Sequence, residues 1–222
     1  RHTRLPRRYR GRDILEWFSI MGILDERTED VRNLGASREQ PSMQLTGSAD
    51  HETLDLRVLQ EEGVRLVGRA EGVSGPRMVF ADDLVEHMAA ADVKLAGLRL
   101  RIDRYIRDNG LSDEVGPEEP FDSMPLPDAP TRLDLRSEGI GTVLWATVFK
   151  RSYPWLRVPV LKANGEIRHE GGVTCASGLY VLGLNFMRRR SSSFLAGVAR
   201  DAEEITEHLV AARSRKAVRA VA

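Results

Sequence analysis

The apolar positions of this chain form two helical stripes with shorter runs between them. Leu84, Met88, Ala91, Leu95, Leu98, Ile102 and Tyr105 recur at spacings of four and three, which places them on one face of a helix. Asp82 or Asp83 can cap its start and Asn109-Gly110 can end it, so one long amphipathic helix is predicted over 82–109. Leu195, Val198, Ala202, Ile205, Leu209 and Ala212 repeat the pattern behind Ser191, Ser192 and Ser193, any of which can accept from the first free amides of a helix. Shorter helices are predicted at 13–21, ending near Gly22, and at 54–62, ending at Gly63.

Strand patterns lie between these helices. Residues 64–67 and 78–80 are short apolar runs, and 71–75 reads as the turn region between them. The run 143–149 (VLWATVF) is almost continuously apolar, the pattern of a strand covered on both faces. Its far end meets Lys150, Arg151 and Ser152, where an open α/β sheet would have a ligand crevice. Residues 158–161 and 166–169 flank Asn164-Gly165, which favours a hairpin. Residues 179–182 (LYVL) complete the set as a buried strand that leads through Gly183 to the last helix. Helices alternating with strands predict an α/β protein.

Composition narrows the functions open to such a fold. The apolar runs fall far short of the roughly 18 residues of a membrane-spanning helix. A single cysteine, Cys175, excludes an internal disulfide and a cysteine-based metal cluster, which fits a reducing cytosol, so a cytoplasmic location is expected. It has no neighbouring histidine to make it a nucleophile, and no Gly-x-Ser-x-Gly elbow occurs. His2, His51, His87, His169 and His208 are scattered and lack metal-site spacing. The 33 basic and 33 acidic side chains cancel, which argues against nucleic-acid binding.

That cancellation hides strong local charge. Residues 1–12 hold six arginines, one histidine and no acid, a run that would attract a phosphate. Residues 112–138 hold eight carboxylates against two arginines, with five of the ten prolines, so 111–132 is expected to be an exposed connector between two structural units. Residues 214–222 read as a basic, frayed tail. In the junction 178–197, Arg188, Arg189 and Arg190 precede the serines at a helix start, so two readings stand. One is an anion site at the helix N-terminus, the other an ordinary capped helix with a solvated basic turn. No Gly-x-Gly-x-x-Gly occurs anywhere. The chain opens on Arg1 and its earliest methionine is Met21, so the sequence is expected to begin inside a longer protein.

Three stretches carry a resemblance. RHTRLPRRYRGRDI (1–14), LRSEGIGTVLWATVF (135–149) with YPWLRVPVL (153–161), and EIRHEGGVTCASGLYVLGLNFMRRRSSSFLAGVARDA (166–202) together resemble the C-terminal half of bacterial flavin-containing monooxygenase-like oxidoreductases. Some of these are labelled as flavoproteins involved in potassium transport. The resemblance implies a partial two-dinucleotide-binding-domain flavoprotein of Rossmann-like fold, with the N-terminal half and its glycine fingerprints missing. Residues 1–138 would be the remainder of the NAD(P)H-binding domain, 139–213 the returning part of the FAD-binding domain and 214–222 a tail.

The same resemblance implies site residues. Arg1 and Arg4, with Arg7 and Arg8 behind them, would read the 2′-phosphate of NADPH. Ala146 and Thr147 match the family's Ala-Thr-Gly turn, whose glycine is Val148 here. Gly183, Leu184, Ser192, Ser193 and Phe194 would lie along FAD, the helix start facing the flavin ring. The expected function is an FAD-dependent, NADPH-using monooxygenase acting on a small organic substrate with dioxygen. It involves no metal, no nucleic acid and no membrane span, and it leaves room for a homo-oligomer. Two other readings stand beside it: a truncated or decayed derivative without activity, and a small α/β ligand-binding or interaction module.

Overall fold

The computed structural model describes residues 3–40, 43–47, 49–120, 128–146 and 151–221, with side chains as far as Ser214. The chain divides into two compact units, Arg1–Trp17 with Pro41–Trp145, and Phe18–Gln40 with Ala146–Ala222. Helices and small sheets occur in both, consistent with the predicted α/β class. Every strand ladder among the described residues is antiparallel. The parallel sheet of a Rossmann-like unit is therefore not formed by these residues.

The first unit opens with a tight hairpin, β1 (Arg8–Tyr9) against β2 (Arg12–Asp13), which runs into helix α1 (Ile14–Ile20). Tyr9, Ile14 and Trp17 are fully buried, and the Trp17 indole donates to the Tyr9 carbonyl at 2.7 Å. Helix α3 (Leu56–Glu61) starts where Asp55 accepts from the Arg57 amide at 3.0 Å and ends before Gly63. Helix α4 (Leu84–Asp108) is the long helix predicted, closed by Gly110 with φ 69°. Its buried face runs Leu84, Met88, Ala91, Leu95, Arg99, Ile102, Ile106. The predicted positions Leu98 and Tyr105 are therefore one residue off the seam, because a polar residue, Arg99, occupies a core position.

The strands of a three-stranded meander flank this helix in sequence. Strands β3 (Ala70–Ser74), β4 (Arg77–Phe80) and β5 (Arg132–Asp134) pair in order, with Met78 opposite Leu133. Two expectations fail here. Residues 64–67 form no strand, and 71–75, expected as a turn, is mostly β3, with the turn at Gly75 and Pro76. All of β3 is exposed, so no buried face imposed an alternation that a sequence pattern could reveal. In the stretch 111–132, Gly116 donates to the Arg10 carbonyl at 3.0 Å and β5 pairs with β4, both within the first unit, and 121–127 lie outside the described residues.

The apolar run 143–149 is not a buried strand as far as it is described. Val143, Leu144 and Trp145 are 42%, 87% and 59% exposed, and 147–150 lie outside the described residues. A central strand needs a ladder on both edges, and no described strand pairs with these residues.

In the second unit, α2 (Leu34–Arg38) is capped by Asn33, which accepts from the Ala36 amide at 3.0 Å. The Asn164-Gly165 hairpin forms as a narrow bridge, Leu161 opposite Ile167, with Gly165 at φ 84°. Strands β6 (His169–Glu170) and β7 (Val173–Thr174) pair, and Tyr180 adds one bridge to Val173. That bridge is the whole of the strand expected at 179–182, where Leu182 is 47% exposed. Helix α5 (Leu195–Val221) starts after the serines and continues through the tail expected to fray. Leu195, expected in its stripe, is 95% exposed, whereas Asp201 and Ile205 are buried.

Arginines hold this helix. Arg188 Nη1 donates to Glu204 at 2.6 Å, Arg189 Nε donates to buried Asp201 at 2.9 Å and also reaches Glu204, and Arg190 Nε donates to Glu26 at 2.9 Å. The anion-site reading of this basic turn is therefore corrected, because carboxylates of the same unit already hold all three guanidinia. Ser192 turns inward, its Oγ accepting from the Arg188 and Arg189 amides at 3.0 and 2.9 Å. Gly197 lies so close to Ser191 that a Cβ there would overlap the Ser191 carbonyl.

Gly197→Ala should lower stability by about 2 kcal/mol, because the clash is with backbone and cannot be relieved by a rotamer. Urea unfolding checks this, and an unchanged midpoint would contradict the packing. Burial works against the charged Glu204, but Arg188, Arg189 and Arg27 outweigh it and lower its pKa below the ordinary carboxylate value. A depressed folded-state pKa means that Glu204 contributes stability above the ordinary carboxylate pKa and loses it as pH falls through the folded value. Melting temperature against pH should therefore drop less steeply on the acid side in Glu204→Gln than in the parent.

Candidate functional site

A cleft of the first unit has a volume of about 220 Å³. Arg4 and Arg8 reach it from the N-terminal hairpin, Asp55, Arg57 and Val58 from the start of α3, Leu95 and Arg99 from α4, and Glu119 and Pro120 from the acidic stretch. Four arginines thus converge on two lining carboxylates. Their roles differ.

Arg4 is buried and fully engaged. Its Nε donates to Asp55 at 3.2 Å and its Nη1 to Asp92 at 2.7 Å. Burial alone would weaken this charge, but the hydrogen bonds and charges of Asp92 and Asp55 overcome it and raise the Arg4 pKa. Asp55 therefore has two tasks: it starts α3 by accepting from the Arg57 amide, and it neutralises Arg4. Arg99 is engaged as well. It stacks over the Tyr9 ring with its guanidinium carbon 4.8 Å from the centroid, donates to the Pro120 carbonyl at 3.3 Å and meets Glu118 at 3.4 Å. Tyr9 in turn donates to Asp103 at 2.8 Å, and Arg10 Nε donates to the same carboxylate at 3.0 Å.

Arg8 and Arg57 are differently placed. Arg8 is exposed at the outer position of β1, and among the described residues no carboxylate pairs with it. Arg57 Nη1 donates to Glu61 at 2.7 Å, and its buried Nε meets no acceptor among the described residues. Thr53 lines the same cleft and its Oγ accepts from the Arg7 amide at 2.9 Å, so its own hydrogen remains to be donated. Arg7 is tied to Asp13 at 2.8 Å and to the Thr46 carbonyl at 2.7 Å. An anion entering this cleft would meet the guanidinia of Arg8, unpaired among the described residues, and of Arg57, in a setting already charge-balanced around Arg4 and Arg99.

The other expected site residues are placed as follows. Arg1, Thr147 and Val148 lie outside the described residues, and Ala146 is exposed. In the second unit Gly183 is exposed with φ 75°, Leu184 and Phe194 are half-buried, Ser193 is exposed and Ser192 is fully buried. Of these five residues, Leu184 lines a small cleft of the second unit. Sequence reading missed Arg57 and Arg99. The spacing of Arg99 from Leu95 and Ile102 was the available signal, since an arginine in register with a core stripe must find partners.

Among the described residues no helix is long and apolar enough to cross a membrane. Three curated proteins show local similarity. "Uncharacterized oxidoreductase CzcO" of Bacillus velezensis is 39% identical over 77 residues, 34% of this chain and 22% of that protein. "Uncharacterized oxidoreductase CzcO-like" of Geobacillus kaustophilus is 40% identical over 72 residues, 32% of this chain and 21% of that protein. "Uncharacterized oxidoreductase CzcO" of Bacillus subtilis is 37% identical over 71 residues, again 32% and 21%. The chain spans about a fifth of the length of the curated relatives it matches. No family model matches the chain, and no solved structure matches it.

The division of labour among the arginines predicts opposite outcomes for two substitutions. Arg4→Ala leaves Asp55 and Asp92 facing each other without their cation and should cost about 3 kcal/mol or more. Arg8→Ala should change stability by less than about 0.5 kcal/mol. Chemical denaturation of the two variants checks this, and equal losses would contradict the assignment.

Proposed function

We propose that the chain is part of an oxidoreductase and that its first unit takes the phosphate end of NADPH. The observation that carries this reading is the arginine-lined cleft, in which Arg8 pairs with no described carboxylate and Arg57 pairs with Glu61, outside the cleft lining, while Arg4 and Arg99 hold the walls. A phosphate dianion matches two guanidinia geometrically, and the lining threonine adds a neutral donor. In this reading Arg8 and Arg57 contact the 2′-phosphate. Arg4, first expected there, positions the cleft through Asp55. The similarity to three proteins named as oxidoreductases supports the reaction class.

The finer proposal is an FAD-dependent monooxygenase. The chemistry supplied by bound FAD would be acceptance of a hydride from NADPH and reduction of dioxygen, one oxygen atom going to an organic substrate and the other leaving as water. The resemblance of 1–14, 135–161 and 166–202 to flavin-containing monooxygenases supports it, and the two-dinucleotide-binding-domain fold would then belong to the longer protein. The residues described here fit a flavin less well than they fit a phosphate. Ser192 is buried and its Oγ is occupied by two loop amides, and the Gly197 and Val198 amides at the start of α5 already donate to the Phe194 carbonyl. No step of flavin chemistry is therefore assigned to a side chain of this chain.

Calorimetric titration at low salt tests the phosphate assignment. NADPH should bind about tenfold or more tightly than NADH, and Arg8→Ala or Arg57→Ala should each remove most of that preference. Equal affinity for the two nucleotides, or a preference that survives both substitutions, would overturn it.

A further inference from the structure

A second basic cleft lies wholly within the second unit, among β6, the Asn164-Gly165 hairpin, α2 and the turn at Leu184 and Asn185. It has a volume of about 40 Å³, room for a group the size of a phosphate and not for a nucleotide. Arg38, Arg151, Lys162 and His169 line it, with Glu166 as its only lining carboxylate. We propose that this cleft binds the phosphoryl group of a phosphate monoester or of free phosphate, held by Arg38, Arg151 and Lys162 with His169 as a neutral hydrogen-bond donor.

The charges support this directly. Among the described residues neither Arg38 nor Arg151 forms an ion pair with a carboxylate, and Lys162 meets Glu166 only at 3.5 Å. Arg38 is fixed rather than free: its Nε and Nη2 both donate to the Phe186 carbonyl, at 3.2 and 3.1 Å, and its backbone carbonyl accepts from the Asn185 side chain at 2.9 Å. That anchoring aims a guanidinium without neutralising it. Three permanent cations facing one carboxylate leave a local excess that an oxyanion dianion would balance.

His169 is set up as a donor. Its Nδ1 accepts from the Gly172 amide at 3.3 Å, which leaves the hydrogen of the neutral ring on Nε2. Burial, then Arg38 and Lys162, lower its pKa, with Glu166 opposing, so the ring stays neutral near neutral pH. Arg151 and Tyr153 complete the groups around it. This inference does not rest on the dinucleotide reading, since the two clefts share no residue.

Calorimetric titration of the intact chain with inorganic phosphate at low ionic strength tests it. The expected result is a saturable site weakened about tenfold or more by Arg151→Ala and by Lys162→Ala, two exposed side chains whose loss leaves the fold intact by circular dichroism. Arg8→Ala and Arg57→Ala, which alter the other cleft, should leave this affinity unchanged. In parallel, the His169 ring signals in NMR should move on phosphate addition in the parent and not in Arg151→Ala. A second arm with glucose 6-phosphate separates the sources: binding as tight as that of inorganic phosphate identifies the end of a monoester, and exclusion identifies free phosphate. No saturable heat with either ligand, or a phosphate affinity that follows Arg8 and Arg57 instead of Arg151 and Lys162, would overturn the proposal.

Discussion

Each unit of this protein depends on an arginine buried between two carboxylates. In the first, Arg4 sits between Asp55 and Asp92; in the second, Arg189 sits between Asp201 and Glu204. Both guanidinia are buried. A guanidinium brought inside must be paired, because an unpaired buried charge costs several kcal/mol. The carboxylates that pair it then become fixed points for the backbone. Asp55 starts α3 while holding Arg4, and Asp201 and Glu204 tie α5 to the turn carrying Arg188 to Arg190.

This pairing decides which cations remain available. A run of basic residues in sequence looks uniform, yet Arg7, Arg10 and Arg12 meet Asp13, Asp103 and Glu16, whereas Arg8 meets no carboxylate among the described residues. The triple arginine at 188–190, which read either as an anion site or as an ordinary capped helix, is the more completely neutralised. Cations left over are held by a backbone carbonyl or by a single carboxylate. Arg38 is anchored by a carbonyl, and Arg57 by one contact to Glu61 that leaves its Nε open. Free and structural arginines are chemically identical, and only the three-dimensional distribution of acids separates them.

The same reasoning explains what could be read from the sequence. Helix α4 was legible almost to the residue, since a long stripe with caps is a local signal, and its error at Leu98 and Tyr105 came from treating Arg99 as surface. The Asn164-Gly165 turn was legible for the same local reason. The strands at 64–67, 143–149 and 179–182 were not. An apolar run reports that a segment seeks cover, and whether it becomes a strand depends on partners elsewhere in the chain, which for Val143 to Trp145 are absent among the described strands. Strand β3, exposed along its length, carried no pattern at all. Of the candidate sites, the basic character of residues 1–12 was visible, but the identity of the working arginines required the positions of Asp55, Asp92 and Glu119.

The central claim is that Arg8 and Arg57 are the phosphate-reading arginines of the first unit while Arg4 and Arg189 are structural. Arginine Nε–H resonances report this most directly, followed in a nitrogen-15 spectrum during addition of adenosine 2′,5′-bisphosphate. The account predicts that the Arg8 and Arg57 signals shift together and saturate, while those of Arg4 and Arg189 stay in place. Movement of the Arg4 signal with Arg8 and Arg57 unaffected would contradict it.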